Sequence, residues 1–283
     1  GGIVRLEEGN GFVDEATVHT AREAATHSVD VPVWTNSPQF KHDTFTFTRM
    51  IFHKSGGGGG RGGGGLGWQI DYPDADLNVS GRLQQMSSLK VDPDTRVVRL
   101  TDPDLYRYPY LYAVHVENIR LSDPERAALR KHLRTGGTLM VSDFWGSQAW
   151  DSFAAEMVRV LPGQQWVDLP FDHPVFHGVF DLKLPLSNLQ VPTNSRLQAW
   201  NRAYDPSDPN SRATLPRPDA STLDMHVRAW LDDKGHIMII ALHNTDISDG
   251  WEREGESPEY FNLFSETRAY PLMINILYYL MTH

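Results

Sequence analysis

The 283-residue chain contains no cysteine. That absence excludes disulfides, thiolate nucleophiles and cysteine-ligated zinc or iron–sulfur centres together. Long apolar runs are also lacking. The longest candidate, Leu272 to Met281, falls well short of the ~18 residues a membrane span requires. Basic residues are in deficit, with 26 Lys and Arg against 36 Asp and Glu for a net charge of −10. A surface so poor in cations is unsuited to nucleic acid, whose backbone is bound through Lys and Arg. There is no His-Glu-x-x-His pair, no EF-hand loop and no Gly-Lys-Ser/Thr ending of a nucleotide loop. The opening Gly1-Gly2 in place of Met is read as a sign of N-terminal processing.

What remains has a globular composition, 40% hydrophobic and 22% charged. Residues 1–43 read as a loosely specified arm, in which Val13 to Thr26 would form one helix with a weak apolar stripe. Residues 44–283 read as one α/β domain. Thr44 to Phe52 alternates well enough for a first strand. Two glycine blocks, Gly56 to Gly60 and Gly62 to Gly65, lie within an insertion at 55–67. Ordering such a tract costs much backbone entropy, so Gly56 to Gly65 is expected to be a mobile spacer and not a binding loop.

Beyond Trp68 the periodicity sharpens. Val79, Leu83 and Met86 place a helix over Asp74 to Leu89, and strands are expected at 96–100, 111–116, 138–142 and 236–242. Ser122 and Glu125 form a capping-box signature for a helix that stops at Gly136-Gly137. A further helix begins at Ser147 and ends before Pro162. Residues 169–223 break the rhythm with prolines and polar residues, which suggests an irregular excursion over one rim. Val227 to Leu231 and His236 to Leu242 flank a hairpin turn at Asp232 to Gly235, and a last apolar helix spans Ala269 to Met281. Strand–helix alternation of this kind predicts a mostly parallel open sheet with helices on both faces.

Open α/β sheets bind ligands beyond the carboxyl ends of their strands. Those ends supply His115 and Glu117, then Ser142, Asp143 and Trp145, then His243, Asn244 and Asp246, with Asp71 following the glycine tract. The candidates for catalysis are Ser142, Asp143, His115 and His243. The candidates for ligand binding are Asp71, Trp68, Trp145, Asn244, Asp246 and Trp251. No cofactor is expected, but a divalent cation, Mg²⁺ or Ca²⁺, suits Asp143, His243, Asp246 and Asp249. The commoner use of such groups is to satisfy loop amides or cap helices. Trp68, Tyr72, Trp145, Trp150 and Trp251 suggest an aromatic rim for a glycan or peptide, although such rings also fill cores.

Several separated motifs then point to a family. They are Trp68 to Asp76, Tyr108-Pro109, Gly136-Gly137-Thr138-Leu139, Asp143 to Gly146, His173 to Phe176, Asn244-Thr245-Asp246 with Asp249, Trp251 and Glu252, and Asn275 to His283. From about Phe45 to His283 the chain resembles the bacterial domain family of unknown function numbered 4159. That family is similar in fold to class I glutamine amidotransferases, a flavodoxin-like arrangement. The resemblance puts Ser142 to Gly146 where those enzymes carry their nucleophilic cysteine, and none is present. It also implies a periplasmic, secreted or cell-envelope setting. The leading expectation is a non-enzymatic binding or assembly module with a protein or glycan partner, able to self-associate. The alternative is a metal-assisted or serine-type hydrolase. Asp143 is expected to be ionised and to bond amides around Trp145 and Gly146, or His115 or His243.

Overall fold

The computed structural model describes residues 3–5, 12–26, 28, 30–55, 67–183, 186–192, 220–252, 254 and 257–283. The glycine blocks Gly56 to Gly65, and much of the 169–223 excursion, lie outside the described residues.

Seven strands form the main sheet: β1 (Thr48–Ile51), β2 (Arg96–Arg99), β3 (Tyr110–Val114), β4 (Thr138–Ser142), β5 (Trp166–Asp168), β6 (His226–Leu231) and β7 (Ile237–His243). Their spatial order is β5-β6-β7-β4-β3-β1-β2. β2, β1, β3, β4 and β7 run parallel, while β6 and β5 add an antiparallel edge through the expected hairpin. The protein is therefore a mixed α/β fold built on a largely parallel sheet. Central strands are buried on both faces, which is why Leu111-Tyr112-Ala113-Val114 and Leu139-Met140-Val141 read as unbroken apolar runs.

Alternate residues of one strand enter different cores. Leu111, Ala113, Leu139 and Val141 pack with α2 (Asp123–Arg134) and α3 (Ser147–Val160) through Leu129, Leu133, Phe153 and Met157. Tyr110, Tyr112, Val114 and Met140 pack with α1 (Asp74–Met86) and the last helix through Val79, Leu83, Leu272 and Ile276. Helices thus cover both faces. The capping box at the start of α2 is formed, with Ser122 accepting from the Glu125 amide and Glu125 accepting in return from the Ser122 amide.

A short helix α4 (Asp249–Glu252) follows β7 and packs on α1, where Asn78 Nδ2 donates to the Trp251 carbonyl at 2.8 Å. The approach is close enough elsewhere that a Cβ on Gly250 would come within 2.4 Å of the Ala269 Cβ. Phe261–Ala269 is wound as π-helix and leads directly into α5 (Tyr270–Thr282).

The first forty residues depart from expectation. Val13 to Thr26 is not one helix. Phe12–Asp14 pairs antiparallel with Ile3–Arg5, and turns then lead to a short 3₁₀ segment, Ala21–Glu23. Val13, Val18, Ala21 and Ala24 are buried in the core shared with β1 and β2. Tertiary packing has overridden a weak helical pattern. Thr44 to Phe52 is likewise divided, Thr44–Phe45 pairing with Lys90–Val91 while Thr48–Ile51 enters the main sheet.

Candidate metal centre

The chain reverses its lateral direction between β1 and β3, with β2 on one side and β3, β4 and β7 on the other. Such a switch opens a crevice at the carboxyl ends of the strands. Here the backbone ladder continues past the strands proper. The His115 amide donates to the Asp143 carbonyl at 3.2 Å, the Asp143 amide to the Thr245 carbonyl at 2.9 Å, and the Asn244 amide to the Phe144 carbonyl at 3.0 Å. To leave the ladder immediately afterwards, His115, Asp143 and Asn244 adopt φ of 53°, 54° and 62°, and Asp71 beside them adopts 61°. Left-handed backbone at non-glycine residues carries a cost that surrounding structure must hold in place.

This geometry brings carboxylates together. Single ligand atoms from Asp71, Asp143 and Asp246 lie within 4.8 Å of one another, and so do atoms from Asp71, Asp249 and Glu252. Asp71 is shared by both sets. Asp143, Asp246, Asp249 and Glu252 are buried. Ser248 Oγ donates to Asp71 Oδ2 at 2.6 Å and sits 3.2 Å from Asp246 Oδ1, which also accepts from the Asp249 amide. An all-oxygen donor set of this kind suits Mg²⁺, Ca²⁺ or Mn²⁺.

Crowding like charges in a buried space splits their proton affinities. Burial, then the charges of Asp143, Asp249 and Asp71, push the Asp246 carboxyl well above the usual carboxylate range. Burial and Asp143 likewise raise Asp71. Asp143 goes the other way: burial raises it, but the charge and hydrogen bond of His115, with the Trp145 indole, outweigh that and hold it ionised. This balance favours the ionised form of Asp143, and its main support is an imidazole and not a helix terminus. His115 Nε2 meets Asp143 Oδ2 at 2.6 Å, and Trp145 Nε1 donates to Asp143 Oδ1 at 3.0 Å. Behind His115, Nδ1 faces Glu117 Oε1 at 3.4 Å, and Glu117 accepts from Lys54. Burial depresses the His115 imidazole, yet Asp143 and then Glu117 push it up to about 11. Its side chain is 34% exposed, whereas that of its partner Asp143 is 1% exposed.

Other candidate residues are placed elsewhere or already committed. Ser142 Oγ is buried and bonds the Tyr112 hydroxyl at 2.7 Å, a partner that is no general base. The Asn244 amide is spent on backbone: Oδ1 accepts from Gly146, and Nδ2 donates to the carbonyls of Ser221 and Asp224. Trp68 and Trp251 are fully buried and so do not present a ligand shelf. Trp68 packs on Tyr72, and Trp251 on Phe47 and Tyr112. His243 faces Phe144, Trp150 and His226, with Nε2 on the Gly146 carbonyl at 2.8 Å, and belongs to neither carboxylate set.

Glu252 closes the polar stretch Asn244 to Glu252, whose three carboxylates suit a calcium or magnesium loop on sequence alone. One supporting residue escaped the sequence reading. Arg49 lies in an apolar strand yet is fully buried. Its Nε reaches Asp76 Oδ2 at 3.0 Å, and Nη1 donates to the carbonyls of Trp68 and Ile70, clamping the turn that delivers Asp71. Burial lowers its guanidinium, but Asp76 more than offsets this, so it stays charged.

Fold and site together define a cysteine-free α/β protein with an acidic centre beyond the carboxyl ends of its parallel strands. Over residues 60–281 the chain matches the family described as Domain of unknown function (DUF4159), and it belongs to that family. No curated protein matches it. Without cysteine, a cysteine-dependent glutamine amidotransferase mechanism is excluded.

Proposed function

We propose that the protein is a divalent-cation-dependent hydrolase whose metal is held by Asp71, Asp143 and Asp246, with Asp249 and Glu252 extending the donor set from the far side of Asp71. The observation that carries this reading is the convergence of three carboxylates from three separate loops to within 4.8 Å, two of them on left-handed backbone. Packing anionic groups so tightly is costly unless protons or a cation neutralise them. A bound cation would supply Lewis acidity and a water of lowered pKa. His115 is placed to carry a proton at the mouth, oriented by Asp143 on one nitrogen and Glu117 on the other. Serine-type hydrolysis is less well supported, because Ser142 has Tyr112 and not an imidazole as partner. The binding-module reading drew on an aromatic shelf, and burial of Trp68 and Trp251 weakens that support.

The five parallel strands, taken in chain order, stand as 2-1-3-4-5 across the sheet. This is the flavodoxin-like order, and it supports the proposed kinship with amidotransferase-like folds. The test is calorimetric titration of metal-free protein with Mg²⁺, Ca²⁺ and Mn²⁺, followed by a panel of ester and phosphoester substrates. Saturable binding by wild type, weakened at least about tenfold in Asp71→Asn and Asp246→Asn, is the expected result. Equal binding by wild type and both variants would remove the centre from consideration.

A further inference from the structure

His243 ends β7 within an aromatic cluster and belongs to neither carboxylate set. It is 2% exposed, and its ring lies 5.0 Å from Phe144, 5.5 Å from Trp150 and 6.1 Å from His226. Two polar facts set it apart from ordinary core filling. Nε2 is 2.8 Å from the Gly146 carbonyl, so the neutral ring carries its proton there, while Nδ1 is buried without a hydrogen-bond partner among the described residues. The next residue, Asn244, accepts from the Gly146 amide at 2.8 Å. The last side chain of β7 and the one after it therefore grip the C=O and the N–H of a single residue on the neighbouring loop.

That residue ends the turn Ser142 to Gly146 and opens α3. Gly146 has φ of 86°, a conformation that side-chain-bearing residues resist, so the turn has no local propensity to close this way. Asp143, at its own left-handed φ, hangs between β4 and this grip, and Trp145 from the same turn donates to it. Rigidity of the carboxylate must come from outside the loop. Groups that orient a metal ligand from behind commonly change metal affinity about 10–100-fold when removed.

We propose that His243 is a positioning residue, a neutral latch from β7 onto Gly146 that fixes the Asp143 turn. The latch itself rests on its own contacts; only its purpose rests on the cation-centre reading. Protonation would place a proton on Nδ1, where no acceptor waits. The groups facing the ring are Arg228 and His226 on β6, both opposing a second positive charge, with Asp168 on β5 engaged by those two. Burial first, and then Arg228 and His226 against the Gly146 bond, bring the imidazole down to about 4. The ring is thus neutral at pH 7, with its one proton on the nitrogen that donates to Gly146.

Two substitutions separate the roles. His243→Gln keeps a donor for Gly146 but cannot titrate, whereas His243→Phe keeps the ring and loses the donor. The indole N–H resonance of Trp145, read by ¹H–¹⁵N NMR on metal-free protein, reports the turn directly, and Mn²⁺ titration reports its consequence. At pH 7 the Phe variant should shift the Trp145 resonance and weaken Mn²⁺ binding about tenfold or more, and the Gln variant should restore both. A Phe variant indistinguishable from wild type, or a Gln variant as impaired as Phe, overturns the latch. If the Phe variant does not fold, the comparison of wild type with Gln still decides. Absence of Mn²⁺ binding by wild type would sink the cation centre, while the Trp145 readout would still judge His243.

Discussion

Replacing the Asp143 carboxylate by an amide changes several things at once. Asp143→Asn keeps an acceptor for Trp145, removes the counter-charge of His115, and relieves repulsion against Asp71 and Asp246. Melting should therefore change little, while cation affinity should fall by about tenfold or more, which calorimetry would register. The partner imidazole supplies a second readout. In wild type its pKa is raised to about 11, so the ion pair stabilises the fold fully below the unfolded value of 6.5, and that contribution is lost as pH rises through about 11. In Asp143→Asn the His115 signal should titrate far lower. A wild-type His115 that titrates near an ordinary histidine value would show that the pair is not formed. Of these residues, the sequence made Asp71, Asp143, Asp246 and His115 legible because strand ends announce themselves by apolar runs that stop. It could not reveal which imidazole Asp143 meets. That choice depends on strand order, which puts β3 and β7 on opposite sides of β4.

Elements whose ends are written in local chemistry were the easiest to read. The Ser122–Glu125 box is formed as its spacing predicts. Ser122→Ala should lower stability by about 1 kcal/mol, seen in denaturant midpoints, and leave cation binding untouched because α2 does not reach the centre. A larger loss accompanied by weakened binding would mean the helix start is coupled to the site. By contrast α3 opens on Gly146, whose side makes no cap. Its start is enforced by His243 and Asn244, about a hundred residues further along, as the separations of 97 and 98 positions attest. No window of local sequence contains that information. The same limit explains the arm: Val13, Val18, Ala21 and Ala24 are buried against β1 and β2 in turns that their own spacing does not encode.

The molecule as a whole carries −10 of formal charge, and part of it is concentrated where the strands end. A cation that binds only the folded state stabilises it by roughly 2.7 kcal/mol at a hundred times its dissociation constant. Addition of Mn²⁺ at pH 7.5 should raise the melting temperature by several degrees. Because Asp71 and Asp246 hold protons more tightly than ordinary carboxylates, protons displace the cation at a higher pH than usual, and the gain should shrink markedly by pH 5. Calorimetric scans at both values would check this; an equal gain at the two would point to binding elsewhere.

The bond between Ser248 and Asp71 joins positions 177 residues apart. During synthesis, Asp71 and Asp143 emerge long before Asp246, and a chain halted after β4 has a partial sheet and an incomplete donor set. Uptake of the proposed metal would then come late, after β7 has docked beside β4. In a growing chain, the arrival of the ion would mark the moment at which the last parallel strand has found its place.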